Sequence, residues 1–207
     1  MDSHDESAPP RRWVRQHGFL SRDALLEIGF ARIGEDVQID DGARFYGADR
    51  ISLGSHVRID AFAVLSAGPE GIVIGNYVHL AVGSLISGAA RVELHDFANI
   101  SSRVAIYSSN DDYHGYSLTN PTIPDRFRQV HTAPVVIGQH VIVGAGSLIL
   151  PGVSLGDGAA VGAHSIVKHD VPPFTIVAGP DGRVIGARRR DLLVLEEELL
   201  AERRGRP

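Results

Sequence analysis

Residues 137–149 read IGQHVIVGAGSLI and residues 155–167 read LGDGAAVGAHSIV; the second stretch repeats the first eighteen positions on. Gly138 answers to Gly156, Gly144 to Gly162, Ala145 to Ala163 and Ser147 to Ser165. Within that period an aliphatic residue returns every sixth position, at Ile137, Val143, Ile149, Leu155, Val161 and Val167. Three hexapeptides per eighteen residues describe a triangular coil with one short strand per side. Each inward aliphatic residue then stacks on its equivalents one coil above and below. The small residues that follow fall at tight corners, where glycine permits dihedrals that other residues resist. An antiparallel sandwich would alternate strands and turn signals without a strict hexad, and a helical period does not fit.

Upstream, Ile33-Gly34, Leu53-Gly54, Ile74-Gly75 and a degenerate Leu94-His95 carry the same signature. Gly54 and Gly75 are twenty-one residues apart, so these coils hold small insertions. The expected fold is an all-β solenoid over residues 19–186, with a loop at 109–134 and a C-terminal segment at 187–207. Residues 1–18 read as a disordered tail. A short helix follows, with Ser21 as its N-cap and Leu25 and Leu26 for burial. After Gly186 the repeat stops. Asp191 then caps a helix whose Leu192, Leu195, Leu199 and Leu200 form one apolar stripe. That helix is expected as a lid over the open end of the solenoid, or as a contact between copies.

Composition narrows the function. The chain is 43% hydrophobic and 22% charged, with a net charge of −5, and lacks the basic surface that nucleic-acid binding requires. It has no cysteine, which excludes disulfides, thiolate nucleophiles and Cys-based metal sites. No apolar run reaches the length of a membrane span, and the polar first ten residues are unlike a signal peptide. A cytoplasmic location is the expectation.

The hexad vanishes over residues 108–133, SSNDDYHGYSLTNPTIPDRFRQVHTA. A solenoid can extrude a loop at a corner without disturbing its stack, and long loops in compact domains are commonly functional. This one is dense in groups that move protons: Asp111, Asp112, Tyr113, His114 and His131.

The hexads from Ile33 to Val167 resemble those of the hexapeptide-repeat acyltransferases, over roughly residues 19–200. The runs SSRVAIYS (101–108), NDDY (110–113), LTNP (118–121), VVIGQHVIVG (135–144) and LPGV (150–153) resemble the branch acting on nucleotide-linked 4-amino-4,6-dideoxyhexoses. Galactoside O-acetyltransferases are near relatives. The resemblance implies a left-handed parallel β-helix, acetyl-CoA as co-substrate, and a homotrimer with sites between neighbouring subunits.

In the O-acetyltransferase relatives a corresponding loop carries a catalytic histidine, and an ungapped count from Ile100–Ile106 puts His114 there. A histidine suits the task of removing a hydroxyl proton during attack on a thioester, help typically worth ~10²–10⁴-fold. Asp111 or Asp112 would orient such a ring. A neutral amine is already nucleophilic, and for an amino sugar a carboxylate or water suffices. His140, at a corner of the first regular coil after the loop, is a further catalytic candidate. His79 and Asn99, in one column on adjacent coils, join Tyr113 and Asn120 as candidates for binding substrate.

For the donor, the resemblance implies pantetheine amides bonded to corner backbone at Gly144, Ala145, Gly162 and Ala163, with Lys168 and Arg183 neutralising phosphates. The chain reads AGPDGRVI at 178–185 where the family usually has Ala-Gly-x-Pro-Ala-Lys-x-Ile, which puts Asp181 beside these cations. No metal is expected: the closely spaced histidines of zinc-binding relatives on this fold are missing. The function expected is transfer of an acetyl group from acetyl-CoA to the amine of a nucleotide-linked amino-deoxy sugar in glycan biosynthesis. Acetylation of a sugar hydroxyl and a non-catalytic β-helix trimer are the alternatives.

Overall fold

The structure, a computed structural model, describes residues 18–204. The expected tail, with His4, lies outside the described residues apart from Gly18, whose carbonyl accepts from Asp41 N–H at 2.7 Å.

The chain winds as a left-handed parallel β-helix with three faces. The first face stacks six strands, from Arg32–Ile33 to Ser154–Leu155. The second runs from Gln38–Ile39 to Thr175–Ala178, and the third from Arg44–Tyr46 to Ile166–Val167. Pairing between successive coils is parallel and in step. Leu94 sits opposite both Ile74 and Ile137, which keeps the degenerate coil in register although His95 replaces glycine. The six hexad positions from Ile137 to Val167 are all buried, as the period requires. Insertions fall at the corner between the third and first faces, where the chain enters the next coil.

The two other corners carry columns of left-handed residues, the column between the second and third faces beginning at the second coil. Between the first and second faces stand Asp36, His56, Tyr77, Phe97 and His140, then Gly158 and Phe174. Glycine was the expected occupant, but four of these rings stack instead. Their centroids are 4.5 Å apart for His56–Tyr77, and 4.8 Å for Tyr77–Phe97 and for Phe97–His140. These separations match the roughly 4.8 Å between adjacent strands, so each coil adds one ring.

Both ends differ from expectation in part. Helix α1, Arg22–Glu27, has Ser21 as N-cap, its hydroxyl accepting from Ala24 N–H at 3.3 Å. Leu25 is buried against the first coil, while Leu26 is 55% exposed, because six residues turn only one narrow stripe inward. Strand Arg183–Ala187 folds back antiparallel on Thr175–Ala178 at the far end. Helix α2, Leu192–Arg204, is no lid. It runs back along the aromatic column, with Glu196 against His140 and Arg203 over Tyr77. The leucine stripe is split accordingly: Leu192 and Leu200 are half-buried, while Leu195 is 62% exposed. Asp191 stands at the helix start, but its carboxylate is held by the Arg189 guanidinium at 2.7 and 3.0 Å, which lowers its pKa.

Candidate active site

The loop leaves the solenoid where the third face ends. Ser108 is buried, its hydroxyl donating to Ala90 carbonyl at 2.8 Å, and its own carbonyl accepts from Ala133 N–H. Ser109–Asn110 then pairs antiparallel with His131–Thr132, closing the neck of the loop. Farther out, Leu118 N–H bonds to Phe127 carbonyl and Gln129 N–H to the Ser117 hydroxyl. The loop is thus an ordered hairpin.

Between its two limbs lies a concavity of about 460 Å³, with Asn110 to His114 on one wall and Gln129 to His131 on the other. Four expected residues, Asp111, Asp112, Tyr113 and His114, are brought together there. Their roles are not equivalent. Asp112 accepts from His114 N–H and from Ser117 N–H, each at 2.7 Å. The backbone N–H of His114 is the first of several donors that hold its carboxyl below the usual range. Both its oxygens are spent on shaping the tip, and none is aimed at the imidazole of His114. That ring is exposed and lies 6.1 Å from the Tyr116 ring. Asp111 is exposed, and among the described residues its carboxylate has no hydrogen bond or ion pair.

The other expected residues lie elsewhere. Asn120 is outside the concavity and closes a turn by accepting from Thr122 N–H at 3.0 Å. His140 is a whole face away from the loop. Its Nε2 is 2.7 Å from Glu196 Oε2, its ring stacks on Phe97, and its carbonyl accepts from Arg188 at 2.7 Å. Burial of Arg188 among carbonyls pulls its guanidinium pKa down. His79 and Asn99 are paired in register on the second face. His79 Nε2 lies 2.8 Å from Asp60 Oδ2, and Arg58 Nε donates to Asp60 Oδ1 at 2.7 Å. Burial pushes the Asp60 carboxyl up, and the bonds from His79 and Arg58 outweigh it to leave a net lowering.

Gly144 and Ala145 stack under Gly162 and Ala163 at the corner between the second and third faces. Coil stacking by itself demands the smallness of Gly144: a Cβ there would lie 2.5 Å from Ala163 N. Lys168 and Arg183 converge on Asp181, at 3.3 and 3.8 Å, so the acid out of pattern holds both candidate phosphate partners. Among the described residues no three metal-ligating side chains cluster.

Three residues beside these were not among the expected site residues. His131 enters the concavity because the neck pairs it with Asn110, a register invisible in a loop without periodicity. Ser101 and Ser102 sit one coil below Gly144 and Ala145 on the same corner, as Gly146 N–H bonding to Ser102 carbonyl shows. Continuing the coil count downward from Gly144 finds them.

Residues 134–169 match the family described as bacterial transferase hexapeptide (six repeats). A dTDP-4-amino-4,6-dideoxy-D-glucose acyltransferase of Escherichia coli is 49% identical over 178 residues, covering 86% of this chain and 93% of that one. A putative lipopolysaccharide biosynthesis O-acetyl transferase of Escherichia coli is 30% identical over 80% of this chain and 85% of its own. Among solved structures, AntD, an N-acyltransferase from Bacillus cereus in complex with dTDP and 3-hydroxybutyryl-CoA, superposes with a TM-score of 0.88. It is 40% identical, covering 91% of this chain and all of that one. Coil, extruded hairpin and near full-length likeness agree: the chain belongs to the hexapeptide-repeat acyltransferases.

Proposed function

We propose that the chain transfers an acyl group, acetyl by expectation, from its CoA thioester to the amine of a nucleotide-linked amino-deoxy sugar. The observation that carries this reading is the likeness, almost end to end, to an acyltransferase named for such a sugar. A relative has also been solved with dTDP-4-amino-4,6-dideoxyglucose and coenzyme A.

The amine nitrogen attacks the thioester carbonyl, the C–N bond forms as the C–S bond breaks, and one proton must pass from nitrogen to the leaving sulfur. A neutral amine needs no strong base. It needs an acceptor that orients its lone pair and takes the proton as nitrogen turns cationic. Asp111 suits that role: its carboxylate lines the concavity and, among the described residues, is engaged by no neighbour, whereas Asp112 is committed to the loop. Variants of AntD altered at a serine or at an aspartate ten positions later have been crystallised. This chain has the same spacing at Ser101–Asp111 and Ser102–Asp112.

The donor column and the loop stand on different corners, separated by the third face. A site using both is completed by a second copy, whose loop reaches the first copy's donor corner. The reading therefore includes a homotrimer with three shared sites, and a cytoplasmic enzyme of glycan biosynthesis. One observation favours hydroxyl acylation as a second reading: His114 lines the same concavity. Thiol release measured against paired panels of amino and hydroxyl sugars decides. Turnover confined to nucleotide-linked amines is expected, and turnover confined to hydroxyls overturns the reading.

A further inference from the structure

Two side chains of the extruded hairpin turn away from solvent. From residue 111 to residue 120 only Asp112 and Ser117 are half-buried, and the others are exposed. Asp112 holds Ser117 by its backbone, accepting from Ser117 N–H at 2.7 Å. The Ser117 hydroxyl serves the other limb: it accepts from Gln129 N–H at 3.0 Å and donates to Leu118 carbonyl at 3.2 Å. A chain of hydrogen bonds therefore runs from Asp112 through Ser117 to Gln129, crossing the hairpin from one limb to the other.

That crossing bounds the concavity. At the neck the limbs are joined by backbone pairing of Ser109–Asn110 with His131–Thr132. Farther out they are joined by Leu118 N–H on Phe127 carbonyl at 2.9 Å, and by the Gln129 bond to Ser117. Among these closures only the last uses a side chain, and the residue it holds, Gln129, lines the concavity opposite Asp111. Without the hydroxyl, water would replace it on Gln129 N–H, since Gln129 is exposed, and folding would lose little. Chemistry is less forgiving, because a misplacement of about 1 Å can cost 10²-fold in rate.

We propose that Ser117 is a positioning residue of the transfer, its hydroxyl fixing the separation of the two walls so that an amine seated between them meets Asp111. The inference rests on the acyltransferase reading above, with Asp111 as the proton acceptor. Ser117 touches no reacting atom in this role. It acts through Gln129 on one wall and through Asp112, the neighbour of Asp111, on the other. All of these bonds stay within the hairpin, so the solenoid core and the same copy's donor column are outside its reach.

Ser117→Ala and Ser117→Thr, each alone and combined with Asp111→Asn, test this on the full-length protein. The substrates are acetyl-CoA and dTDP-4-amino-4,6-dideoxyglucose, the sugar nucleotide bound in a solved relative. Ser117→Ala should lower kcat about tenfold, with CoA affinity and Tm as in the wild type. Ser117→Thr keeps the hydroxyl and should hold kcat within about twofold of wild type. The double variant separates positioning from folding. A hydroxyl that works through Asp111 has nothing to align once that carboxylate is gone, so adding Ser117→Ala to Asp111→Asn should cost less than about twofold more. A further loss of about tenfold there overturns the proposal, because the hydroxyl would then serve the loop irrespective of Asp111. Wild-type kcat in Ser117→Ala also overturns it, as does a Ser117→Thr variant as slow as Ser117→Ala. Full activity in Asp111→Asn alone overturns the underlying reading and the proposal with it, whereas the other three outcomes leave that reading standing.

Discussion

Glu196 Oε2 stands 2.7 Å from His140 Nε2 across fifty-six residues of chain, and both side chains are largely buried. Oε1 of the same carboxylate accepts from Gln139 Nε2 at 2.8 Å. One acid thus fastens helix α2 to the aromatic column. Glu196→Ala leaves two part-buried polar groups without this partner and should cost about 1–3 kcal/mol. Urea unfolding measures the loss, and unchanged stability would show that α2 is held by its apolar contacts alone.

Asp112 and Asp111 separate structure from chemistry. Asp112→Ala removes the acceptor for two backbone N–H groups and should lower kcat/KM by about tenfold or more through a misplaced loop. Limited proteolysis should find new cleavage between residues 110 and 120. The folded-state pKa of Asp112 is depressed, so its hold on the loop is complete above the ordinary carboxyl value of 3.8 and is lost as pH falls below it. Loop cleavage in the wild type should therefore rise only in acid, and a rise toward alkaline pH would contradict the assignment.

The solenoid was legible because its core repeats one inward aliphatic residue per six, and a parallel stack has only one register that buries them all. The loop was legible as a candidate site, but the different engagements of its residues were not. Asp111 and Asp112 are neighbours with identical chemistry, and only the backbone amides that Asp112 captures tell them apart. His140 was placed near the loop because it follows it closely in sequence, yet the strand Val135–Ile137 carries the chain across a whole face in between. The aromatic column was hidden for a related reason. Insertions and the loop make the spacing of His56, Tyr77, Phe97 and His140 irregular, and a tight corner suggests glycine rather than rings. The path of α2 followed from that column, so an amphipathic stripe alone pointed to the wrong surface.

Gly144→Ala should destabilise the coil whether or not the donor touches it, because the new Cβ would press on the Ala163 backbone at 2.5 Å. About 1–3 kcal/mol is the expected cost of such overpacking. A lowered Tm in the absence of any ligand checks it. A variant as stable as the parent would mean that adjacent coils part more easily than their pairing suggests.

Asp181 restrains Lys168 and Arg183, the two cations proposed to meet the donor's phosphates. Asp181→Asn should free Lys168 and Arg183 and tighten CoA by roughly two- to fivefold, a small gain because all three groups are exposed. The gain should shrink as salt is raised. Weaker CoA binding in this variant would show that Asp181 positions the cations instead of competing for them.

We propose that Asp111 receives the proton of the attacking amine. The most direct measurement is thiol release from acetyl-CoA with a nucleotide-linked 4-amino sugar, comparing wild type, Asp111→Asn and His114→Ala, with CoA affinity recorded for each. Asp111→Asn should lose about 10²–10⁴-fold in kcat with CoA affinity intact, while His114→Ala stays within about tenfold of wild type. Full activity in Asp111→Asn together with collapse in His114→Ala would contradict the account and make the histidine the base.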